Sequence, residues 1–257
     1  MTEVLLARVE RVLETERLWA AYALADLDPP HAQDAAWEAT DDAVVLTYRG
    51  FSPPVLFAAG DPAGVARLFL RVPTGAYLFT LTGTHRALLE PRVLSSAESS
   101  MWRMALRAES FDPPPAEQAE PLTASDVPAI LSLFGDHRDR PDAFHPSQLE
   151  DGAFFGLRDG GELVAVAGTH VVSERRSVAA VGNVFTHPRH RGRGLATLVT
   201  AAVVRTLTGR RLRTVVLNVA MHNDPAVRCY ERLGFWPFCG YHEGVGHLGP
   251  ASDVPQE

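Results

Sequence analysis

The sequence predicts an α/β (α+β) fold, and three observations carry that prediction. Short alternating or continuous apolar runs, bounded by glycine, proline and aspartate, read as strands. Runs with apolar residues three and four apart read as helices. The two kinds interleave along the chain instead of segregating, as they do where helices cover a sheet. At 257 residues and 46% hydrophobic content, the chain is long enough for two packed cores.

In order, residues 2 to about 25 repeat apolar positions at helical spacing (Val4, Leu5, Val9, Val12, Leu13, Leu18), and Asp28-Pro-Pro ends that helix. Strands are expected at Ala43 to Tyr48 and Pro54 to Ala59, then a short helix from Pro62 to Leu70. Further strands are expected at Tyr77 to Thr82, Ala87 to Val93 and Trp102 to Leu106. Consecutive prolines continue neither regular structure, so Phe111 to Glu120 reads as a linker, with a domain cut near 115. Beyond it, Leu122 starts a strand that leads to a helix capped by Ser125 or Asp126 and backed by Ile130, Leu131 and Phe134. Pro146 to Asp151 suggests another helix. Strands at Ala153 to Arg158 and Glu162 to Val172 are joined by Asp159-Gly-Gly, a strong hairpin turn. A strand from Val178 to Thr186, a helix from Leu195 to Leu207, a strand from Thr214 to Ala220, a helix from Pro225 to Leu233 and a strand from Phe235 to about His242 complete the order.

The run from Val181 to Thr197 holds the strongest functional signal. An apolar strand enters Arg189-His-Arg-Gly192-Arg-Gly194 and passes directly into a helix, so backbone N–H groups and the positive end of a helix dipole meet at one point. Gly192 and Gly194 let an oxyanion approach the main chain where a Cβ would stand in the way. Arg189, Arg191 and Arg193 add positive charge, and the first turn at Leu195 and Ala196 supplies amides. The implied ligand is a pyrophosphate. A dinucleotide fold needs an acid about 20 residues on, but no acidic residue lies between Glu174 and Asp224. A phosphate loop for nucleotide hydrolysis needs a lysine, and the chain has none.

The formal net charge is −7 although Arg189, Arg191, Arg193, Arg205, Arg210, Arg211 and Arg213 share one acid-free stretch. A basic island in an acidic chain suits a discrete anion better than nucleic acid. Cys229 and Cys239 do not have metal-ligand spacing, so no metal is expected. Cys229 reads as a packed core thiol with no catalytic role. No charged leader precedes an apolar segment and no apolar run reaches about 18 residues, so a cytoplasmic protein without a membrane partner is expected.

The pattern Arg189-x-x-Gly192-x-Gly194 at a strand-to-helix junction resembles motif A of the GNAT superfamily of acyl-coenzyme A dependent N-acetyltransferases. Asn223, Ala226, Tyr230, Gly234 and Phe235 match that superfamily's second signature, Asn-x-x-Ala-x-x-x-Tyr-x-x-x-Gly-Phe. The resemblance implies a central mixed, mostly antiparallel sheet flanked by helices, and a catalytic domain at 115–257. Residues 1–114 would form an α/β domain that is a non-catalytic, degenerate copy of the same fold. The whole then resembles the tandem glycine N-acyltransferase-like and mycothiol synthase-like proteins.

By the same resemblance, the cofactor is acetyl-coenzyme A or another acyl-coenzyme A, and the acceptor is a primary amine of a small molecule or peptide. Phe185, Thr186, Arg189, Arg191, Gly192, Arg193, Gly194, Leu195, Ala196 and Asn223 are the expected donor-binding residues. Val184 and His187 lie on the same strand segment, which parts from its neighbour to receive the pantetheine arm. Tyr230 is the implied general acid, with Asn223 beside it on one helical face. The glutamate that many relatives carry before the glycine turn is replaced by Gly182 and Asn183, so either the amine arrives neutral or the base is sought in His170 or His187 at the end of a water chain or in Glu174, with His170 ranked first. Phe144, His145 and Phe155 are expected to border the acceptor pocket. A catalytically silent acyl-coenzyme A sensor is the alternative.

Overall fold

The computed structural model describes residues 1–112 and 118–251, and the side chain of Asp151 is left out. The sequence-based cut near 115 and the centre of the linker lie outside the described residues. The chain forms two compact units. The first holds Met1–Arg103, Ala220–His222 and the chain from Pro237 onward; the second holds Met104–Val219 and Asn223–Trp236. Each is a layer of sheet packed against helices.

In the first unit, helix α1 (Glu3–Thr15) starts where the Thr2 hydroxyl accepts from the Leu5 N–H. The expected single helix to about 25 is interrupted, with α2 confined to Ala21–Ala25. Thr15 donates its hydroxyl to the Val12 carbonyl at 2.7 Å, which competes with the next helical turn. Glu16 leaves helical geometry and accepts from the Gly60 N–H at 3.2 Å. Strands β1 (Ala35–Ala39), β2 (Ala43–Tyr48), β3 (Val55–Gly60) and β4 (Gly75–Thr82) follow, with α3 (Pro62–Phe69) between β3 and β4. β1 carries little strand propensity in Ala-Ala-Trp-Glu-Ala and is held by antiparallel pairing with β2.

The expected strand at Ala87 to Val93 is instead helix α4 (Gly83–Leu89), because Thr82 caps it by accepting from the His85 N–H. Strand β5 (Val93–Leu106) takes in the expected Trp102 to Leu106. The last strand, β11 (Phe235–Leu248), runs past His242 and pairs antiparallel with β4 from Tyr241 to Leu248. That register outweighs the low strand propensity of Gly244 and Gly246. Val45, Leu56, Val65, Phe69, Phe79 and Leu81 centre this core. Beside it, Arg103 is 1% exposed and lies over the rings of Trp19, Tyr22 and Tyr241 at 5.2, 4.7 and 5.7 Å.

In the second unit, β6 (Glu120–Pro121), β7 (Phe155–Asp159), β8 (Glu162–Ser173), β9 (Val178–Thr186) and β10 (Thr214–Ala220) lie in the order β10-β9-β8-β7-β6. All neighbours whose register is defined are antiparallel except β9 and β10. Asp159 pairs with Glu162 across the expected two-residue turn. Helices α5 (Val127–Phe134), α6 (Gln148–Asp151), α7 (Leu195–Gly209) and α8 (Asp224–Arg232) complete the unit. Asp126 is the N-cap of α5, as expected, but its side chain accepts from the Thr123 N–H in a capping box that starts the short 3-10 turn before the helix. Leu122, Ile130, Phe134, Phe154, Val166 and Phe185 form the core beneath α5. Among the described residues no helix is long and apolar enough to cross a membrane.

Asp26, at the end of α2, is buried, and desolvation pushes its carboxyl from 3.8 up to about 8. The folded state holds this proton more tightly than the unfolded chain. The contribution to stability is therefore whole below pH 3.8 and is lost as pH climbs through about 8. Asp26→Asn should flatten that decline and raise stability at pH 8 by on the order of a few kcal/mol, with little change at pH 4. Urea unfolding midpoints across this range measure it, and parallel pH profiles for both proteins would contradict it.

Candidate active site

β9 and β10 run parallel and in register from Val178 and Thr214 to Val181 and Leu217, where their pairing ends. Both strands continue, β9 to Thr186 and β10 to Ala220. On this side the main chain of β9 from Gly182 onward is therefore released from β10. On its other side β9 stays paired with β8, but Asn183 and Val184 together stand opposite Ala167, an extra residue that forms a bulge. Asn183 sits there at φ +53°, a left-handed conformation that asparagine tolerates better than most residues. A second irregularity leaves His170 as the extra residue of β8.

The glycine turn closes the released segment. Gly192 and Gly194 have φ of +75° and +77°, and a Cβ on either would project into open space. Gly194 is the N-cap of α7, with no side chain bonded to the helix start. The Leu198 N–H is bonded to the Gly194 carbonyl at 3.2 Å, so the amides of Leu195, Ala196 and Thr197 have no partner within the helix. They point out of its positive end, and no acidic residue occupies the first turn.

The arginines of the turn divide their attention. The Arg191 Nε–H donates to the Thr186 carbonyl at 3.0 Å, its terminal nitrogen pairs with Asp139 at 2.7 Å, and the guanidinium lies 5.5 Å from the Phe185 ring. Arg193 lies 3.0 Å from His190 Nδ1 and 3.9 Å from Asp159. His187 Nδ1 accepts from the Arg189 N–H at 3.3 Å, which shapes the turn. Desolvation, followed by the charges of His137, His190, Arg189 and Arg191, holds the His187 pKa below its ordinary value.

Helix α8 is pinned to the same corner. Asn223 caps it by accepting from the Ala226 N–H at 3.3 Å, with Pro225 in the first turn. Thr197 Oγ1, in the first turn of α7, lies 3.2 Å from Cys229 Sγ. Cys229 is 8% exposed and its thiol is pushed up by burial, which suits a packed, protonated thiol. The neighbouring Tyr230 is 7% exposed and meets Phe235 edge-on at 6.2 Å.

On the α5 face of the sheet, the ring of His170 fills the space that a side chain at Gly182 would take. Gln148, from α6, spans the same region. It donates to the carbonyls of Ala143 and His170, and its Oε1 accepts from the Asn183 side chain at 2.9 Å and from the His145 N–H at 3.1 Å. Phe144 packs edge-on against Phe134 and Phe154, and Phe155 of β7 pairs with Ala167 of β8. Glu174 stands in the turn after β8. Val178, the first residue of β9, lies about five residues, or roughly 16 Å, from the bulge at Asn183.

Two participants escaped the sequence reading. Gln148 carries no motif. Asn218 is a polar interruption in the apolar strand Thr-Val-Val-Leu-Asn-Val-Ala, and that interruption was its only signal. The side-chain oxygens of Asn183, Thr186, Thr200 and Asn218 are buried with no hydrogen-bond partner. Among the described residues no group of three or more His, Cys, Asp or Glu side chains is gathered to hold a metal ion.

Gly182→Ala should force the His170 ring aside and lower stability by about 1–3 kcal/mol, and His170→Ala should relieve most of that loss. A double-mutant cycle from urea unfolding gives the coupling. Additive losses would show that the two positions do not share this space.

Residues 120–235 match the model of the acetyltransferase (GNAT) family. A mycothiol acetyltransferase from Streptomyces bingchenggensis is 37% identical over 98 residues, which make up 38% of this chain and 32% of that protein. The chain thus spans about a third of the curated relatives it matches first, at 32% and 31% of their lengths. Among solved structures, a GCN5-related N-acetyltransferase from Kribbella flavida has a TM-score of 0.59 at 21% identity, covering 91% of this chain and 95% of its own. An acetyltransferase of the GNAT family from Colwellia psychrerythraea has a TM-score of 0.56 at 12% identity, covering 91% and 95%. At those identities the likeness is one of fold. Strand, glycine turn and tyrosine helix all fall inside the matched segment, and residues 120–235 form an acetyltransferase domain of the GNAT family.

Proposed function

We propose that this chain is an acyltransferase that moves an acetyl or longer acyl group from coenzyme A to a primary amine of a small molecule or peptide. The observation that carries the reading is the parting of β9 from β10 directly before a helix whose first amides are free, with Tyr230 on the helix pinned beside it. The family match favours transfer over a silent binding module. The transfer site is assigned to the part of the sequence-based domain 115–257 that lies in the second unit, and residues 1–114, whose unit also takes in the chain from Pro237 onward, to a non-catalytic companion domain.

The seat fits acyl-coenzyme A on three structural grounds. The glycine turn is open where Cβ atoms would fill it. The amides of Leu195, Ala196 and Thr197 offer charge-assisted bonds of about 1.5–3 kcal/mol each to a diphosphate. The released edge of β9 up to Thr186, whose carbonyl is taken by Arg191 but whose hydroxyl has no partner, gives a pantetheine arm groups to bond. When bound, the donor supplies an acyl carbonyl activated as a thioester. Arg189, Arg191 and Arg193 set the field around the turn, and Asn223 fixes α8 by its cap.

Transfer forms an N–C bond, breaks the C–S bond, takes one proton from the amine and delivers one to sulfur. Tyr230 Oη is assigned the proton delivery; a phenol of pKa about 10 is competent toward a thiolate whose acid lies near 8.5. His170, held over Gly182, is assigned to receive the amine proton. His187 is occupied in the turn through Nδ1, and Glu174 is remote from the bulge, so both rank behind it.

Supplied with an accepted amine, wild type should release free thiol from acetyl-coenzyme A. Tyr230→Phe should lower kcat about tenfold or more while leaving donor affinity by calorimetry within about twofold. Equal rates would remove Tyr230 from the chemistry. Gly192→Val with Gly194→Val should instead weaken donor binding about tenfold or more, because both positions need positive φ and open space.

A further inference from the structure

The sheet row at the mouth of the strand parting carries a feature that the transfer reading does not use. Val216 pairs with Ala180, so two residues on, Asn218 faces the same side of the sheet as Gly182. His170 covers Gly182 on that side. Asn183 reaches the same side, since its amide nitrogen donates to Gln148, which also bonds the His170 carbonyl. Asn183 is 3% exposed, its Oδ1 has no partner, and neither does Oδ1 of Asn218. Two buried acceptor oxygens therefore stand on neighbouring strands just past the last paired residues. A buried acceptor without a donor costs about 1–3 kcal/mol, and two of them on adjoining strands where the ladder stops are acceptors that incoming N–H groups would satisfy.

We propose that Asn183 and Asn218 are positioning residues that hold the acceptor nitrogen through their side-chain oxygens, and that the acceptor is a weakly basic amine such as an α-amino group. The proposal rests on the transfer reading and deepens it. Oxygens of neutral amides accept N–H bonds without the formal negative charge that would favour an ammonium ion. A carboxylate on this row would bind strongly basic alkylamines in their protonated form; the row carries the uncharged Gly182, Asn183 and Asn218 instead. An α-amino group, with a pKa of about 7.7–8.0, is partly neutral at pH 7.5, whereas a lysine-like amine near 10.4 is almost wholly charged. The row thus selects the acceptor that needs least deprotonation.

The test uses the full chain, acetyl-coenzyme A, and matched amino-acid amides and simple alkylamines as acceptors. Wild type should favour the amides about tenfold or more in kcat/KM at pH 7.5. Asn218→Ala should raise the acceptor KM about fivefold or more, with kcat and the donor dissociation constant within about twofold. Asn218→Asp, which keeps an oxygen in place and adds charge, should recover acceptor binding and narrow the preference against alkylamines. Titration of the best amide into labelled protein should shift the side-chain amide signals of Asn183 and Asn218 and leave those of a distant asparagine or glutamine in place. An unchanged acceptor KM in both Asn218 variants, or a preference for alkylamines, overturns the assignment while acyl transfer itself stands. A wild type that binds no coenzyme A defeats the transfer reading and this proposal with it. Asn183 variants are secondary because that side chain is buried; Asn218, which is only partly buried, decides.

Discussion

The hydrogen-bond ladder between β9 and β10 stops at Val181 and Leu217, and nearly everything about the candidate site depends on that stop. A parallel pair normally continues while both strands last, because each added residue satisfies main-chain groups that are otherwise stranded. Here the bulge at Asn183 and Val184 turns β9 away while its ladder to β8 resumes at Phe185 and Thr186. β9 thus stays rigid along one edge and open along the other. An edge that is fixed in position and free to bond can hold an extended ligand as an added strand would be held, through main-chain groups.

That arrangement carries a local cost, and its supports can be named. Positive φ at Asn183 costs on the order of 1 kcal/mol, and several buried side-chain oxygens near the opening have no partner. Against this, Gln148 bonds Asn183, His170, His145 and Ala143 at once, tying α6 and its preceding loop to the two irregular strand positions. The absence of a side chain at Gly182 admits the His170 ring, so one glycine and one histidine share a single packing position. A ladder closed across this region would satisfy more groups, and it would also remove the site.

Motifs written in consecutive residues were legible, and arrangements that depend on register were not. Gly192, Gly194 and the Asn223 to Phe235 segment declare themselves because each residue type answers a local demand: positive φ, a helix cap, a helix end. The strands Ala43–Tyr48, Val178–Thr186 and Thr214–Ala220 were readable to the residue because each is a nearly continuous apolar run rich in valine. Ala87 to Val93 misled because its apolar residues suit a strand while the decisive signal, the Thr82 cap, lies outside it. The long helix at the N-terminus misled for a similar reason, since Thr15 ends it through its own hydroxyl. Asn218 and Gln148 acquire meaning only once Leu217 is known to be the last paired residue and α6 to sit over β8, facts set by tertiary register.

The electrostatics of the glycine turn follow from the same economy of local groups. Arg191 and Arg193, the most conspicuous charges in the motif, are engaged with Asp139 and with Asp159 and His190, so much of their charge is already answered within the chain. Attraction at the seat then falls largely to main-chain amides and the end of a 15-residue helix, whose first turn holds no acid to compete. Dipoles act over the first turn only and are aimed, whereas free guanidinium groups would draw any polyanion from a distance. On the proposed reading, a chain of net charge −7 that binds phosphate mainly through oriented amides discriminates by shape at the turn, and it leaves the arginines to hold the turn in that shape.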